Sequence, residues 1–341
     1  MAGNRWSEAE LSELREMAAC GFGDADIARK LKRNLNAVRM KRKIESIESG
    51  ASVRSTRFSV ETVATPTRTI IELLEEQRGR FANRHKRGNQ KRDGINVHLE
   101  GSGPYAVTIF GDPHIDDDGC DIESLVYHLE AVNACEDMFA INAGDLTNNW
   151  IGSLARLHAK QSKTDEEAEN LMDWLLDATD WVAVILGNHD KWTSTAERAC
   201  KARKIPHVSH GARFSFHREG CRNVLADLRH THRGNSMYNP SHAQVKQSFR
   251  GSPCDVILGA HTHTSGYTLV KNGVTGKVNH CVRVGPFKVE DEYADANGFA
   301  HEMISPAVTW VVNPRAEYPH DITIWHDIDQ AIEWLDYLKK A

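Results

Sequence analysis

Thiols are scarce in this 341-residue chain, and the few present are unpatterned. Seven cysteines (Cys20, Cys120, Cys135, Cys200, Cys221, Cys254 and Cys281) are odd in number, scattered and without a CxxC pair. That excludes a disulfide framework and a thiolate zinc site, and fits free thiols in a reducing cytoplasm. Long apolar runs are missing as well. None approaches the ~20 residues of a membrane span, and the start Met1-Ala2-Gly3-Asn4-Arg5 has no apolar stretch of the kind that directs secretion. A soluble, cytoplasmic protein with no membrane partner is expected. Internal repeats and low-complexity runs are also lacking.

What is present is enough for two domains: 341 residues, of which 40% are hydrophobic. The net charge of −5 conceals an asymmetry. Residues 1–93 carry 20 Lys and Arg against 13 Asp and Glu, or +7, which leaves −12 for residues 94–341. A basic arm therefore precedes an acidic body, and such an arm suits a polyanion.

Within the body, five short segments each follow a largely apolar, partly β-branched run. They are Asp112-Pro113-His114 after Ala106–Phe110, Gly144-Asp145 after Met138–Asn142, and Gly187-Asn188-His189-Asp190 after Trp181–Leu186. Arg229-His230 follows Asn223–Leu228, and His261-Thr262-His263 follows Asp255–Leu258. Such runs read as strands buried on both faces, so each segment falls at a strand's C-terminal end, where α/β folds place their sites. The 31 to 43 residues between successive segments leave room for a strand, a crossover helix and a return.

Carboxylate, amide and imidazole without thiolate suit a hard or borderline divalent ion, with Mn first and Fe, Zn or Mg as alternatives. In a two-metal site at least one ligand must touch both ions, and Asp145, a lone carboxylate, is the natural bridge. His189, beside Asn188, is placed to give the leaving group its proton.

At these residues the chain resembles the calcineurin-like metallophosphoesterase superfamily, whose pattern is DxH, GD, GNH followed by D or E, a lone His, then GHxH. The resemblance covers about Val107 to His263. It implies a four-layer α/β sandwich, two packed sheets flanked by helices. It also implies one metal on Asp112, His114, Asp145 and His263, a second on Asp145, Asn188, His230 and His261, a bridging hydroxide as nucleophile and His189 as general acid. Two features depart from the pattern. Ala260 stands where the family has Gly before the first His, which predicts a slightly different loop path. The lone His is ambiguous between His230 and His232, two residues apart and so on one side of an extended run; His230 is favoured because it is nearer the strand end. Asp116, Asp117 and Asp118 are expected to cap the helix that follows.

The arm has its own pattern. Ser7-Glu8-Ala9-Glu10 forms a capping box ahead of Leu11, Leu14, Met17 and Ala18, Gly21-Phe22-Gly23 breaks the helix, and two further helices are predicted through Ile27 and Val38. From Arg29 to Lys43 there are eight basic residues and no acidic one. Residues 1–50 thus resemble the compact helix-turn-helix or Myb-like domains of bacterial and phage proteins, with Trp6 as core tryptophan. DNA is the implied partner, with Asn36, Arg39, Arg42 and Lys43 as contacts. Residues 51–100 read as a basic linker, its Gly50 to Thr69 part rich in Ser, Thr and Arg, with a helix over Ile70 to Arg84. Residues 101–341 read as the phosphoesterase domain. Within it, helices are expected over Thr164 to Ala178 and Asp327 to Lys340. A polar loop, Gly234 to His242, is expected at the site mouth, where it would discriminate substrates.

Three functions follow in order of preference. The first is a metal-dependent phosphodiesterase or nuclease acting on nucleic acid, of a phage or prophage plan. The second is a phosphomonoesterase or a nucleotide or cyclic-nucleotide phosphodiesterase. The third is a DNA-binding regulator whose phosphoesterase fold senses a ligand.

Overall fold

The computed structural model describes residues 6–44, 69–151, 161–251, 253–290 and 304–341. The end of the expected helix-turn-helix domain and the first part of the expected linker, together 45–68, and part of the insert after the second segment, 152–160, lie outside the described residues. The chain divides into two compact units, Met1–Leu73 and Leu74–Ala341.

In the first unit, α1 (Glu8–Ala19), α2 (Asp24–Lys30) and α3 (Leu35–Ile44) enclose a small core of Leu14, Ala18, Ile27, Ala28 and Val38, with Trp6 packed against it. The capping box is formed: the Ser7 hydroxyl accepts from Glu10 N–H, and the Glu10 carboxylate accepts from Ser7 N–H at 2.8 Å. A core this small is stapled by ion pairs. Arg33 binds Glu10 through two nitrogens at 3.0 Å and lies over the Trp6 ring at 5.0 Å.

The second unit contains most of α4 (Ile70–Asp93) and then two six-stranded sheets. In chain order its elements continue as β1 (Ile95–Ser102), β2 (Tyr105–Phe110), α5 (Ile122–Ala134), β3 (Met138–Asn142), α6 (Asp165–Asp177) and β4 (Trp181–Leu186). Next come α7 (Asn188–Trp192), α8 (Thr195–Ala202), β5 (His207–Ser209), β6 (Gly211–Glu219), β7 (Val224–Arg229) and α9 (His242–Arg250). The last are β8 (Val256–Gly259), β9 (Gly266–Lys271), β10 (Val278–Arg283), β11 (Ala307–Val312), β12 (Ile322–Trp325) and α10 (Ile328–Lys340).

One sheet runs β12-β11-β2-β3-β4-β5, the other β1-β6-β7-β8-β10-β9. The period-2 alternation of β2 shows how they stack. Val107 and Ile109 enter the core between the sheets with Ile141, Ile185, Phe214, Phe216, Leu228 and Trp310. Ala106 and Phe110 face a second core with Leu125, Leu175 and Leu335, contributed by α5, α6 and α10. On the far sheet, Val245 of α9 packs against Ile257 and Cys281. The mixed α/β architecture with two sheets flanked by helices is therefore as expected.

Two expectations need correction. Residues 95–100, assigned to the linker, belong to β1, which pairs in parallel with β6 from Ile95 opposite Phe214 onward. Its alternating, half-exposed edge pattern is polar enough to pass for linker. The helix after the first segment is capped by Asp121, whose side chain accepts from Ser124 N–H at 2.9 Å, and not by Asp116, Asp117 or Asp118. Asp116 is instead buried, accepting from Asn148 N–H at 2.7 Å, while Asp117 pairs with Lys288 at 3.0 Å.

Candidate metal centre

The strands β2, β3 and β4 of one sheet and β7 and β8 of the other end at the same edge of the stack, and all five segments meet there. Their backbone is unusual. His114 (φ 41°), Asp145 (φ 51°), His261 (φ 76°) and His263 (φ 53°) all occupy the left-handed region, which side chains other than glycine seldom adopt. Strain of about 1–3 kcal/mol per such residue persists only where the surroundings hold it in place, and such residues cluster at functional sites.

The surroundings can be named. Asp190, fully inside the protein, accepts the N–H groups of Asp145 and Gly187, each at 2.8 Å, and of Leu146 at 3.0 Å, and so fixes the turn that carries Asp145. Gly187 leaves room for that turn: a Cβ there would stand 2.2 Å from Asp145 Oδ1 and 2.8 Å from His230 Cε1. Ala260, by contrast, is accommodated without a positive φ, its N–H donating to His230 O at 2.9 Å, while the left-handed turn falls on His261.

Around His230 the donors converge. His230 Nδ1–H donates to the Ala143 carbonyl at 3.0 Å, so Nε2 is the nitrogen turned to the site, able to carry a proton or, in its place, a metal. That Nε2 faces Asn188 Oδ1 at 2.9 Å, Asp145 Oδ2 at 3.1 Å and His261 Nδ1 at 3.1 Å. Oxygen and nitrogen lone pairs pointing at one another repel unless a cation or a proton sits among them. A divalent ion is the group this set fits. His232 is turned elsewhere, its Nε2 against the Leu258 carbonyl at 3.0 Å.

A second group adjoins the first. His114, Asp145 and His189 each offer a ligand atom within 4.8 Å of the others. Asp145 Oδ2 lies 4.0 Å from His114 Nε2 and 4.0 Å from His189 Nε2, so this one oxygen faces both clusters. Among the described residues, both ring nitrogens of buried His114, and Oδ1 of buried Asp112, have no hydrogen-bond partner. Buried polar atoms are nearly always satisfied, and these orphans are what a metal would complete. Asp112 Oδ2 accepts from His261 N–H at 2.7 Å and stands 3.7 Å from His263 Nε2. All seven expected ligands are thus gathered at one edge. His189, expected only as an acid, also stands within ligand distance of the His114 cluster.

Electrostatics follow from burial. Burial raises the Asp112 carboxyl well above its usual range against the pull of His230, and raises Asp190 likewise with the Asp145 charge adding to it. Burial works against Asp145 too, but His230, His114 and His189 hold it well below. Burial lowers His230, yet the Asp112 and Asp145 carboxylates outweigh it and lift the imidazole to about 10. His189 is lowered by burial against Asp145. Its Nδ1–H donates to the Asn148 carbonyl, and its ring sits between Trp192 at 4.1 Å and Trp150 at 5.1 Å.

Several residues at the centre escaped the motif reading. Lys288 has its ammonium 5.5 Å from the Trp150 ring centroid. Arg283, at the end of β10, is buried and donates to the Thr262 hydroxyl between the two histidines of the last segment. Neither lies in a motif, and only the topology brings them in. Asn149 shapes the turn after Asp145, with φ 43° and its Nδ2 donating to the His189 carbonyl at 2.8 Å.

In the N-terminal unit, Asn36, Arg39 and Lys43 are exposed along one side of α3. Arg42 is not with them. It shares the inward side with Val38, four residues earlier, is 4% exposed and binds Asp24 at 2.8 Å, which corrects its assignment as a surface contact. Arg39 also approaches Asp24, at 3.6 Å.

No family model and no curated protein matches the chain. Among solved structures it is similar to the Haemophilus influenzae NAD nucleotidase (NadN), at 11% identity and a TM-score of 0.34, over 65% of this chain and 49% of that one. It is also similar to the calcineurin-like phosphoesterase YfkN of Bacillus subtilis, at 11% identity and a TM-score of 0.38, over 70% of this chain and 100% of that one. A third similarity is to Vps29 of Chaetomium thermophilum, at 11% identity and a TM-score of 0.30, over 65% of this chain and 95% of that one. The chain spans about half the length of the Haemophilus protein. No helix among the described residues is long and apolar enough to cross a membrane.

Proposed function

We propose that this chain is a calcineurin-like, two-metal phosphoesterase of phage or prophage type whose preferred substrate is a phosphodiester of nucleic acid. The observation that carries the reading is Asp145 Oδ2, a single carboxylate oxygen shared by two adjoining donor clusters. Asp112, His114, Asp145 and His263 would hold one ion and Asp145, Asn188, His230 and His261 the other, with manganese the first choice. When bound, the ions supply Lewis acidity toward phosphoryl oxygens and activate water at neutral pH. The protein does the rest. Asp190 and Gly187 hold the Asp145 turn, the Ala143 carbonyl fixes the His230 tautomer, and the Asn148 carbonyl fixes Nδ1–H of His189 so that Nε2 faces the site. With Nδ1–H held on the Asn148 carbonyl, a proton given to a leaving oxygen would come from Nε2 of the imidazolium, the form that the nearby Asp145 charge favours and burial disfavours.

The N-terminal unit is read as a helix-turn-helix module that brings the enzyme to DNA through Asn36, Arg39 and Lys43. A small phosphoester as substrate is the second reading, favoured by the intradomain pairing of Arg33, Arg39 and Arg42, which reduces the charge the module offers. The test is hydrolysis by the manganese-loaded chain of an aryl phosphomonoester, an aryl phosphodiester, cyclic nucleotides, and single- and double-stranded DNA. Turnover of DNA and the aryl diester above the monoester supports the first reading; the reverse order supports the second. Removing residues 1–50 should leave the aryl diester rate unchanged and flatten the salt dependence of duplex binding.

A further inference from the structure

Between Asp227 and Asp255 there is no acidic residue, in a body whose net charge is −12. The stretch holds the loop between β7 and α9, and both feet of that loop stand at the metal centre. Arg233 lies three residues after His230, and Pro240-Ser241 packs on Gly266, three residues after His263. A Cβ on Gly266 would come 2.9 Å from Pro240 Cβ and 3.2 Å from Ser241 N. The loop is braced as well as anchored: Asn239 Oδ1 accepts from Ser241 N–H at 3.0 Å, and the Ser241 hydroxyl meets Thr268 Oγ1 at 2.6 Å on β9.

At its crest the loop presents Met237 and Tyr238, 83% and 91% exposed, the latter the most exposed aromatic side chain among the described residues. Water is a poor setting for two such side chains in succession, and the polar loop around them gives them nothing to pack on. Arg233 is exposed on the same loop, and Lys246 of α9 reaches under it, its Cδ 3.5 Å and Nζ 3.7 Å from the position of a Cβ on Gly234. Among the described residues neither Arg233 nor Lys246 stands within ion-pair distance of a carboxylate. Exposed flat or polarisable faces interleaved with uncommitted cations are what binds a strand whose bases are unpaired, because stacking needs open π-faces and each cation neutralises a phosphate. A duplex, its bases stacked on one another, offers no such face.

We infer that the Arg233–Asn239 loop is the strand-binding platform of the active site: Tyr238 and Met237 stack on unpaired bases while Arg233 and Lys246 hold the intervening phosphates. This rests on the nucleic-acid phosphodiesterase reading and adds a single-stranded preference to it.

The test uses the full chain and a labelled single-stranded oligonucleotide, with binding followed by fluorescence anisotropy across a salt series and hydrolysis followed with manganese. Tyr238→Ala should weaken binding and raise KM about 5- to 150-fold, and Tyr238→Phe should restore both. The double variant Arg233→Ala/Lys246→Ala should flatten the slope of log affinity against log salt by about 1.4, at about 0.7 per phosphate of a single strand. On an aryl phosphodiester each variant should change kcat far less than it changes KM on the oligonucleotide, because the aryl ester has no neighbouring bases or phosphates for the loop to hold. Oligonucleotide binding and cleavage that are unchanged in Tyr238→Ala overturn the platform and leave the nuclease reading standing. A wild-type chain that turns over the aryl diester yet neither binds nor cleaves the oligonucleotide overturns both.

Discussion

Two basic regions of this protein have opposite uses for their charge. In the N-terminal unit, Arg33 is held by Glu10 at 3.0 Å and Arg42 by Asp24 at 2.8 Å, with Arg39 at 3.6 Å from the same carboxylate. In the loop after β7 and in α9 behind it, Arg233 and Lys246 meet no carboxylate among the described residues. The difference comes from the size of the core each region stands on. Among the described residues a single cluster of five buried side chains joins three short helices, and a domain that small relies on its ion pairs to fix the helix angles. The loop is carried by two sheets with a continuous core between them, so its cations are not required by the fold and remain available to a ligand. Formal charge in a sequence therefore overstates what the helical arm offers and understates what the acidic body offers.

That contrast presumes that the chemistry lies wholly in the body, and the largest effect tests this. Asp145→Asn replaces the oxygen both clusters share with a neutral amide, so turnover should fall by about 10³-fold or more with lower metal content, while the proposed duplex binding by the arm should not change. Two metals per chain with near-normal turnover would remove the bridging role. His189→Ala should follow with about a 10²- to 10⁴-fold loss on esters with poor leaving groups and a much smaller one on nitrophenyl esters, whose oxygen needs no proton. Equal losses on both would make His189 a ligand or a positioning group instead. His230→Ala should release one of two metals measured by elemental analysis, whereas His232→Ala, whose ring faces the Leu258 carbonyl, should keep both.

The site was largely legible because its residues are polar interruptions at the ends of apolar runs, and β3 and β4 begin and end where those runs do. What placed the candidate ligands within reach of each other was not legible. Asp190 is one letter of the third segment, but two of its three N–H contacts come from a turn 44 and 45 residues away. Lys288 and Arg283 enter from β10 and the loop beyond it, with no local pattern to mark them. β1 was lost for a physical reason: an edge strand with one half-buried face lacks the hydrophobic run that identified the others. The inward turn of Arg42, however, was legible in principle. It lies four residues after Val38, on the same helical side as a core residue, and a count of basic residues without regard to helical phase puts it on the surface.

That phase argument yields a moderate effect on stability. Arg42→Ala leaves Asp24 without its closest partner and removes a buried side chain, so the N-terminal unit should lose about 1–3 kcal/mol, seen as an earlier unfolding transition. Catalysis on an aryl diester should not respond. If the unit keeps its stability and only duplex affinity falls, Arg42 is a surface contact after all, and the contrast between the two basic regions fails.

The smallest effect completes the contrast from the other side. Lys43 is exposed on α3, with Asn36 and Arg39 along the same side and Val38 and Arg42 turned inward. An exposed lysine without a buried stem contributes little to folding, so Lys43→Ala should leave the unfolding transition of the unit within about 0.5 kcal/mol of the wild type. If the module binds duplex DNA through this side, one phosphate contact is lost. The slope of log affinity against log salt should then flatten by about 0.9, with affinity falling equally on unrelated sequences, because a phosphate contact carries no sequence information. A larger loss on one sequence than on others would make Lys43 a base contact. No change in slope, with duplex binding intact, would move the DNA-binding surface off α3 altogether, and the basic tract from Arg29 to Lys43 would be a structural feature of the three-helix fold.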